Sequence, residues 1–132
     1  KHEIRNPKQI PMTEIQNSKQ YDLEDRTLRF AKQVRVFVKE IPKTTGNFED
    51  GKQLVRSSGS IGANYIEANE SLSKKDFIMR VKISRKETKE SRYWLVLVDT
   101  QNNSGLEKER QQLIKESTEL MNIFGAIIRK SD

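Results

Sequence analysis

The side chains able to do chemistry in this sequence are carboxylates and cations set at helical spacings. Glu67 and Glu70, and again Glu87 and Glu90, are i,i+3 pairs like those that hold two metal ions inside helical bundles. Such centres also need a Glu-x-x-His pair from each of two helices. Neither pair here contains a histidine, and Glu87 and Glu90 fall away from the apolar stripe of their own segment. The one histidine, His2, lies near the start with no inferable partner. No metal and no cofactor are expected. There is no Cys, P-loop, nucleophile elbow or dinucleotide fingerprint, so thiolate, nucleotide-cradling and Ser-hydrolase chemistries lack their parts. An enzyme is not expected.

Cations outnumber acids, 25 Lys and Arg against 19 Asp and Glu, giving a formal net charge of +6. Their placement matters more than their sum. On a helical wheel Lys75, Lys82, Arg85, Lys86 and Lys89, with Lys74 and Arg92, share one flank of a segment whose Asp76, Glu87 and Glu90 share the other. A second basic face combines Arg29, Lys32, Arg35 and Lys39. Either face could track phosphates, which gives salt-dependent binding of RNA or DNA with little sequence preference. The plainer reading is a solvated surface laced with i,i+4 pairs. No zinc knuckle, RNP motif or exposed aromatic series is present to read bases.

Four amphipathic segments position these groups. Leu23, Thr27, Phe30, Val34, Phe37 and Ile41 recur at alternating steps of four and three, predicting a first helix from about Asp22 that stops at Pro42. A second helix is predicted from Phe48 to Leu72, with Leu54, Ser58, Ile61, Tyr65, Ala68 and Leu72 inward. Gly59 and Gly62 interrupt it, and glycine costs about 1 kcal/mol relative to Ala inside a helix. Because the period runs through them, they are read as points of close backbone approach, facing the small Ser84, Thr88 and Ser91 of the third helix.

That third helix starts at an Ser73 N-cap with Asp76 three residues on and ends at Asn102-Asn103. Its inward stripe is Phe77, Val81, Ser84, Thr88, Ser91, Leu95 and Val98. Ser104 and Glu107 form a capping box for a fourth helix carrying Leu106, Leu113, Ser117, Leu120, Phe124 and Ile127. In that helix Arg110 interrupts the stripe, where its stem could reach solvent. Short connections make consecutive helices antiparallel neighbours, so the expected fold is all-α, an up-down-up-down four-helix bundle over residues 22–132. Residues 1–21, with two prolines and no helical period, read as an extended or disordered arm, either untethered or docked on a neighbour. No segment is apolar enough to span a membrane and none resembles a secretory signal, so a cytoplasmic location is expected.

The end of the third helix, Tyr93-Trp94-Leu95-Val96-Leu97-Val98, is apolar all round, which one bundle does not cover. Tyr93, Trp94 and Leu97, with Leu28 and Val36 on the first helix, are therefore candidates for a subunit interface. Glu87 and Glu90 would join them if one copy's basic flank met the next copy's acidic flank, a contact that closes into a ring.

Residues 53–95 carry a further pattern: Gln53 and Arg56 before a run of small residues, then Ser60-Ile61, Asn64 and Glu67, then Phe77, Glu90 and Leu95. With Ile41-Pro42 ending the first helix, the chain resembles the bacterial 23S rRNA intervening-sequence protein family over about residues 22–130. Lys86 and Glu87 stand where many relatives have Gly-Ser. The resemblance implies a four-helix bundle, a cyclic homopentamer and a non-enzymatic role. It gives Gln53, Arg56, Asn64 and Glu67 as structural positions of the motif. A related branch, the accessory variability proteins of diversity-generating retroelements, forms a positively charged barrel that binds nucleic acid and a reverse transcriptase. The functional expectation is thus a homo-oligomeric scaffold for RNA or DNA. The alternative is a platform for a protein such as a reverse transcriptase, without direct nucleic-acid contact.

Overall fold

The structure, a computed structural model, describes residues 12–131, with side chains from Leu23 onward. Four helices follow in order: α1 Met12–Glu40, α2 Thr45–Asn69, α3 Lys74–Leu97 and α4 Ser104–Ser131. Pairings across every seam run in opposite directions along the chain. Thr27 lies at Gly62 and Val38 at Gly51; Ser84 bonds Ile61 and Ser91 bonds Ser57; Arg92 bonds Thr118 while Arg110 reaches Val98. The α1–α4 seam follows suit, with Arg26 at Glu116 and Gln33 facing Glu109 and Gln112 across a cleft. The fold is the antiparallel up-down-up-down bundle that the spacing predicts.

The core is the set of stripes, interleaved. Phe30, Val34 and Phe37 of α1 meet Leu54, Ile61 and Tyr65 of α2, Val81 and Leu95 of α3, and Leu120 and Phe124 of α4, all essentially buried. Ser57, Ser84, Thr88, Ser91 and Ser117 are buried among them. Each closes a hydrogen bond to a nearby carbonyl or hydroxyl, so none leaves a polar atom unpaired. Burial holds the phenol of Tyr65 in its neutral form and pushes its pKa up to about 12, while its ring tilts against Phe124.

Several boundaries differ from those read in the sequence. Helix α1 begins at Met12 rather than near Asp22, because neither Gly nor Pro interrupts the chain between Met12 and Ile41. Residues 12–21 of the expected arm are thus helical, and residues 1–11 lie outside the described residues. Thr44 caps α2, accepting the Asn47 N–H at 3.1 Å, which moves the helix start three residues ahead of Phe48. At its other end α2 stops at Asn69, and Leu72 is fully exposed in the turn instead of continuing the stripe. Ser73 does cap α3, accepting the Asp76 N–H at 3.1 Å.

The α3–α4 connection is the least anticipated part. Val98 turns extended, and Gln101 and Asn102 take left-handed conformations, so α3 ends at Leu97 and not at Asn102. Asn103, rather than Ser104, caps α4: its Oδ1 accepts the Leu106 N–H at 2.9 Å. Glu107 does not complete a capping box. It accepts from Thr100 Oγ1 at 2.6 Å and from Arg110, and those bonds hold its carboxyl below the usual carboxylate range, the threonine contributing most. Arg110 does not reach for solvent. Its Nη1 donates to the carbonyls of Val96 at 3.1 Å and Val98 at 2.5 Å, placing a cation on the open C-terminus of α3.

The glycines of α2 do mark close approach, but toward α1 and not α3. A Cβ on Gly62 would stand 2.8 Å from Thr27 Oγ1, and one on Gly51 3.1 Å from Val38 Cγ1. The small residues of α3 meet Ser57 and Ile61 of α2 instead.

Candidate nucleic-acid interface

Two helices build the strongest concentration of unpaired charge. On α3, Lys82, Arg85, Lys86 and Lys89 lie on successive turns of the flank that faces α4 and solvent. From α4, the last turns bring Gly125, Ile128 and Arg129 to the same place. Together they line an open groove of about 510 Å³ that holds five cations and, among the described residues, no carboxylate. At the next turn, Arg92 is fixed by donating from Nε to Thr118 Oγ1 at 3.1 Å. Lys75 is exposed two turns beyond Lys82 on the same strip, outside the groove itself.

The acidic flank of α3 is engaged within the protomer. Arg56 of α2 bonds both Glu90 and, at 3.4 Å, Glu87, and accepts orientation from Gln53, whose Oε1 takes the Arg56 Nε–H at 3.3 Å. Trp94 Nε1 donates to Glu90 at 3.0 Å. The tryptophan bond first, then Arg56 and Lys86, hold the Glu90 carboxyl below its ordinary value, while Glu90 pulls Arg56 above its own. Asn64, another position of the motif, accepts from Arg80 at 3.1 Å and so ties α2 to α3 about two turns further on. Glu67 is exposed, without an ion pair among the described residues. Gln53, Arg56 and Asn64 thus serve the α2–α3 seam. Glu87 and Glu90, candidates for a contact with a neighbour's cations, are bonded to Arg56 within the chain.

The basic face of α1 comes apart in the same way. Arg29 pairs with Asp25 at 3.0 Å, and Arg35 folds over Gly59, donating to Ala31 at 3.1 Å and, at the long limit of 3.5 Å, to Val55. Only Lys32 and Lys39 of that set project freely. Among the described residues no group of three or more His, Asp and Glu side chains could hold a metal.

The apolar candidates are where the wheel puts them. Tyr93 is 59% exposed, Val96 54% and Leu97 49%, while Leu28 and Val36 are each 51% exposed on α1. Trp94 is partly covered, edge-on to Tyr93 at 5.0 Å between centroids. No helix among the described residues is long and apolar enough to cross a membrane.

The sequence profile of the 23S rRNA-intervening sequence protein family matches residues 19–126. The chain belongs to that family. A solved structure supports the membership: a protein of unknown function from the S23 ribosomal protein family of Bacteroides thetaiotaomicron is 32% identical, with a TM-score of 0.73. The likeness covers 84% of this chain and 98% of that one. A comparison with curated proteins finds no match. Within this intervening-sequence protein, the α3 half of the groove is legible from the sequence. Arg129 and Gly125 are not, because they join it only through the packing of α4 on α3.

Proposed function

We propose that the protein is a non-enzymatic, homo-oligomeric scaffold that works in the cytoplasm and binds nucleic acid through the phosphate backbone. The observation that carries this reading is the α3–α4 groove, where five cations converge without a carboxylate among the described residues. A row of Lys and Arg on successive helical turns suits a polyanion whose charges repeat along its length, and it makes no demand on base identity. The family description refers to intervening sequences of 23S rRNA, which makes RNA the first strand to test. Self-association is supported by Tyr93, Val96 and Leu97, an exposed apolar cluster at the end of the helix that carries the groove. The pentamer implied by the family resemblance is the expected stoichiometry.

A protein-docking platform is the second reading, favoured by an apolar groove of about 740 Å³ between α1 and α2 that exposes Phe48. One experiment separates them: size-exclusion chromatography with light scattering, run with and without a single-stranded RNA of about 20 nucleotides. The expected protein mass is several multiples of the 15.4 kDa chain. RNA is expected to co-elute at about 50 mM salt and to be released at about 500 mM. A 15.4 kDa particle removes the scaffold assembly. RNA that elutes alone at low salt removes the nucleic-acid reading in favour of the docking platform.

A further inference from the structure

Most arginines among the described residues have a partner within the chain. Arg26 is clasped by Glu116 and Glu119, Arg29 by Asp25, Arg56 by Glu87 and Glu90, and Arg110 by Glu107. Arg35, Arg80 and Arg92 donate to a carbonyl, an amide and a hydroxyl. Among the described residues, Arg85 and Arg129 are the two arginines with neither a hydrogen bond nor an ion pair, and they come together at one point. A Cβ placed on Gly125 would lie 3.3 Å from Arg129 Nη1 and 3.5 Å from Arg85 Nε. Both guanidinium groups therefore come within reach of the same glycine, over a buried stretch of helical backbone.

Two features need an explanation beyond a solvated basic surface. Glycine inside a helix is unfavourable relative to alanine, yet Gly125 stands well inside α4. And two like charges from different helices converge on one point, where a shared anion would find both. The position of Arg129 in the last turns of α4 answers to the helix dipole, but Arg85 comes from another helix and owes nothing to it. The glycine leaves both forks free to close on the same oxyanion, and guanidinium forks match the oxygens of a tetrahedral phosphate in pairs.

We propose that Arg85 and Arg129, meeting over Gly125, form a discrete clamp for a single phosphate group, the anchor at which a nucleic-acid strand is fixed in the groove. It rests on the nucleic-acid reading above and adds a place and a stoichiometry: one phosphate gripped by two arginines. Lys82, Lys86 and Lys89 then neutralise the neighbouring phosphates without fixing their position.

The test compares three variants with the wild type by fluorescence anisotropy, using a labelled single-stranded RNA of about 20 nucleotides and, separately, inorganic pyrophosphate as competitor. Arg85→Gln/Arg129→Gln removes the clamp. Lys108→Gln/Lys115→Gln removes the same charge from exposed positions of α4 outside the groove. Gly125→Ala changes no charge but places a Cβ within reach of both forks. The expected loss of RNA affinity is roughly tenfold or more for the arginine pair, with the salt slope reduced by about one phosphate. Gly125→Ala is expected to lose roughly threefold or more while its thermal midpoint stays level or rises, since alanine favours the helix. The lysine pair is expected to change affinity by less than about twofold at about 100 mM salt, where distant charges are screened. Pyrophosphate should displace RNA from the wild type.

If the arginine pair and Gly125→Ala bind RNA as tightly as the lysine pair does, the clamp is wrong while the nucleic-acid reading stands. If the wild type binds pyrophosphate by direct calorimetry, loses it in the arginine pair, and binds no RNA, the clamp stands as a site for free phosphoryl anions and the nucleic-acid reading falls.

Discussion

Gly62→Ala lowers the stability of the bundle by about 1–2 kcal/mol, although in an unconstrained helix the same change would raise it by up to about 1 kcal/mol. The added Cβ would stand 2.8 Å from Thr27 Oγ1 and 3.3 Å from Thr27 Cβ. That hydroxyl cannot move aside. Thr27 is buried, its β-branched side chain has few rotamers, and Oγ1 already donates to Glu24 O at 2.9 Å. Relief must come from α1 moving off α2, which loosens the packing of Phe30 and Ile61 as well. Gly46→Ala is the internal control. Nothing lies within 4 Å of its would-be Cβ, so it should be neutral or stabilise by up to about 0.5 kcal/mol. Adding Thr27→Ala to Gly62→Ala should recover most of the loss, a favourable coupling of about 1–2 kcal/mol in a double-mutant cycle. Denaturant midpoints read all five proteins, the Thr27→Ala single variant included. A Gly62→Ala protein more stable than the wild type would show that α1 and α2 do not approach so closely.

Asn47→Ala is expected to cost about 3 kcal/mol, with the damage appearing at the far end of α3. Asn47 sits in the first turn of α2, buried, and spans two loops. Its Nδ2 donates to Pro42 O at 3.0 Å and to Asp99 O at 2.8 Å, and its Oδ1 accepts the Asp99 N–H at 2.9 Å. Truncation takes the partner from three backbone groups in part-buried bonds, the Pro42 carbonyl and both the N–H and the carbonyl of Asp99. Asn47→Asp should fare no better, because it keeps an acceptor for Asp99 N–H but sets a carboxylate against two carbonyl oxygens. Hydrogen exchange should speed up at Asp99 and Gln101 before the α2–α3 seam responds. A loss below about 0.5 kcal/mol with unchanged exchange would contradict the bridge.

What the sequence made visible and what it concealed divide along the range of the interaction. The stripes were visible because a helical period is local: every position from Leu23 to Ile41 assigned inward is buried, as are Val81, Ser84, Thr88, Ser91, Leu95 and Val98. Leu72 broke the pattern because the turn, and not the period, decided its place. Helix ends were concealed where distant groups set them. Val98 and Asp99 leave the helix under the hold of Arg110 and Asn47, which lie 12 and 52 residues away in sequence. The same holds for the candidate interface. One helix is enough to sort Lys82, Arg85, Lys86 and Lys89 from Glu87 and Glu90, but the fate of each charge depends on the neighbouring helix. Arg56 of α2 removes the two glutamates from circulation, whereas on α1 the pairing is local, Arg29 with Asp25 and Arg35 with the Ala31 carbonyl of the same helix. Only the packing of α4 brings Arg129 to Arg85 over a glycine that the sequence gives no reason to notice.

The central claim is that nucleic acid lies along the α3–α4 groove, and zero-length ultraviolet crosslinking of the wild-type protein to RNA, mapped by mass spectrometry, tests it most directly. Crosslinked peptides are expected from residues 82–89 of α3 and 122–130 of α4, and they should vanish as salt rises. Crosslinks confined to the Lys32–Lys39 face of α1, or persisting undiminished at high salt, would contradict the account.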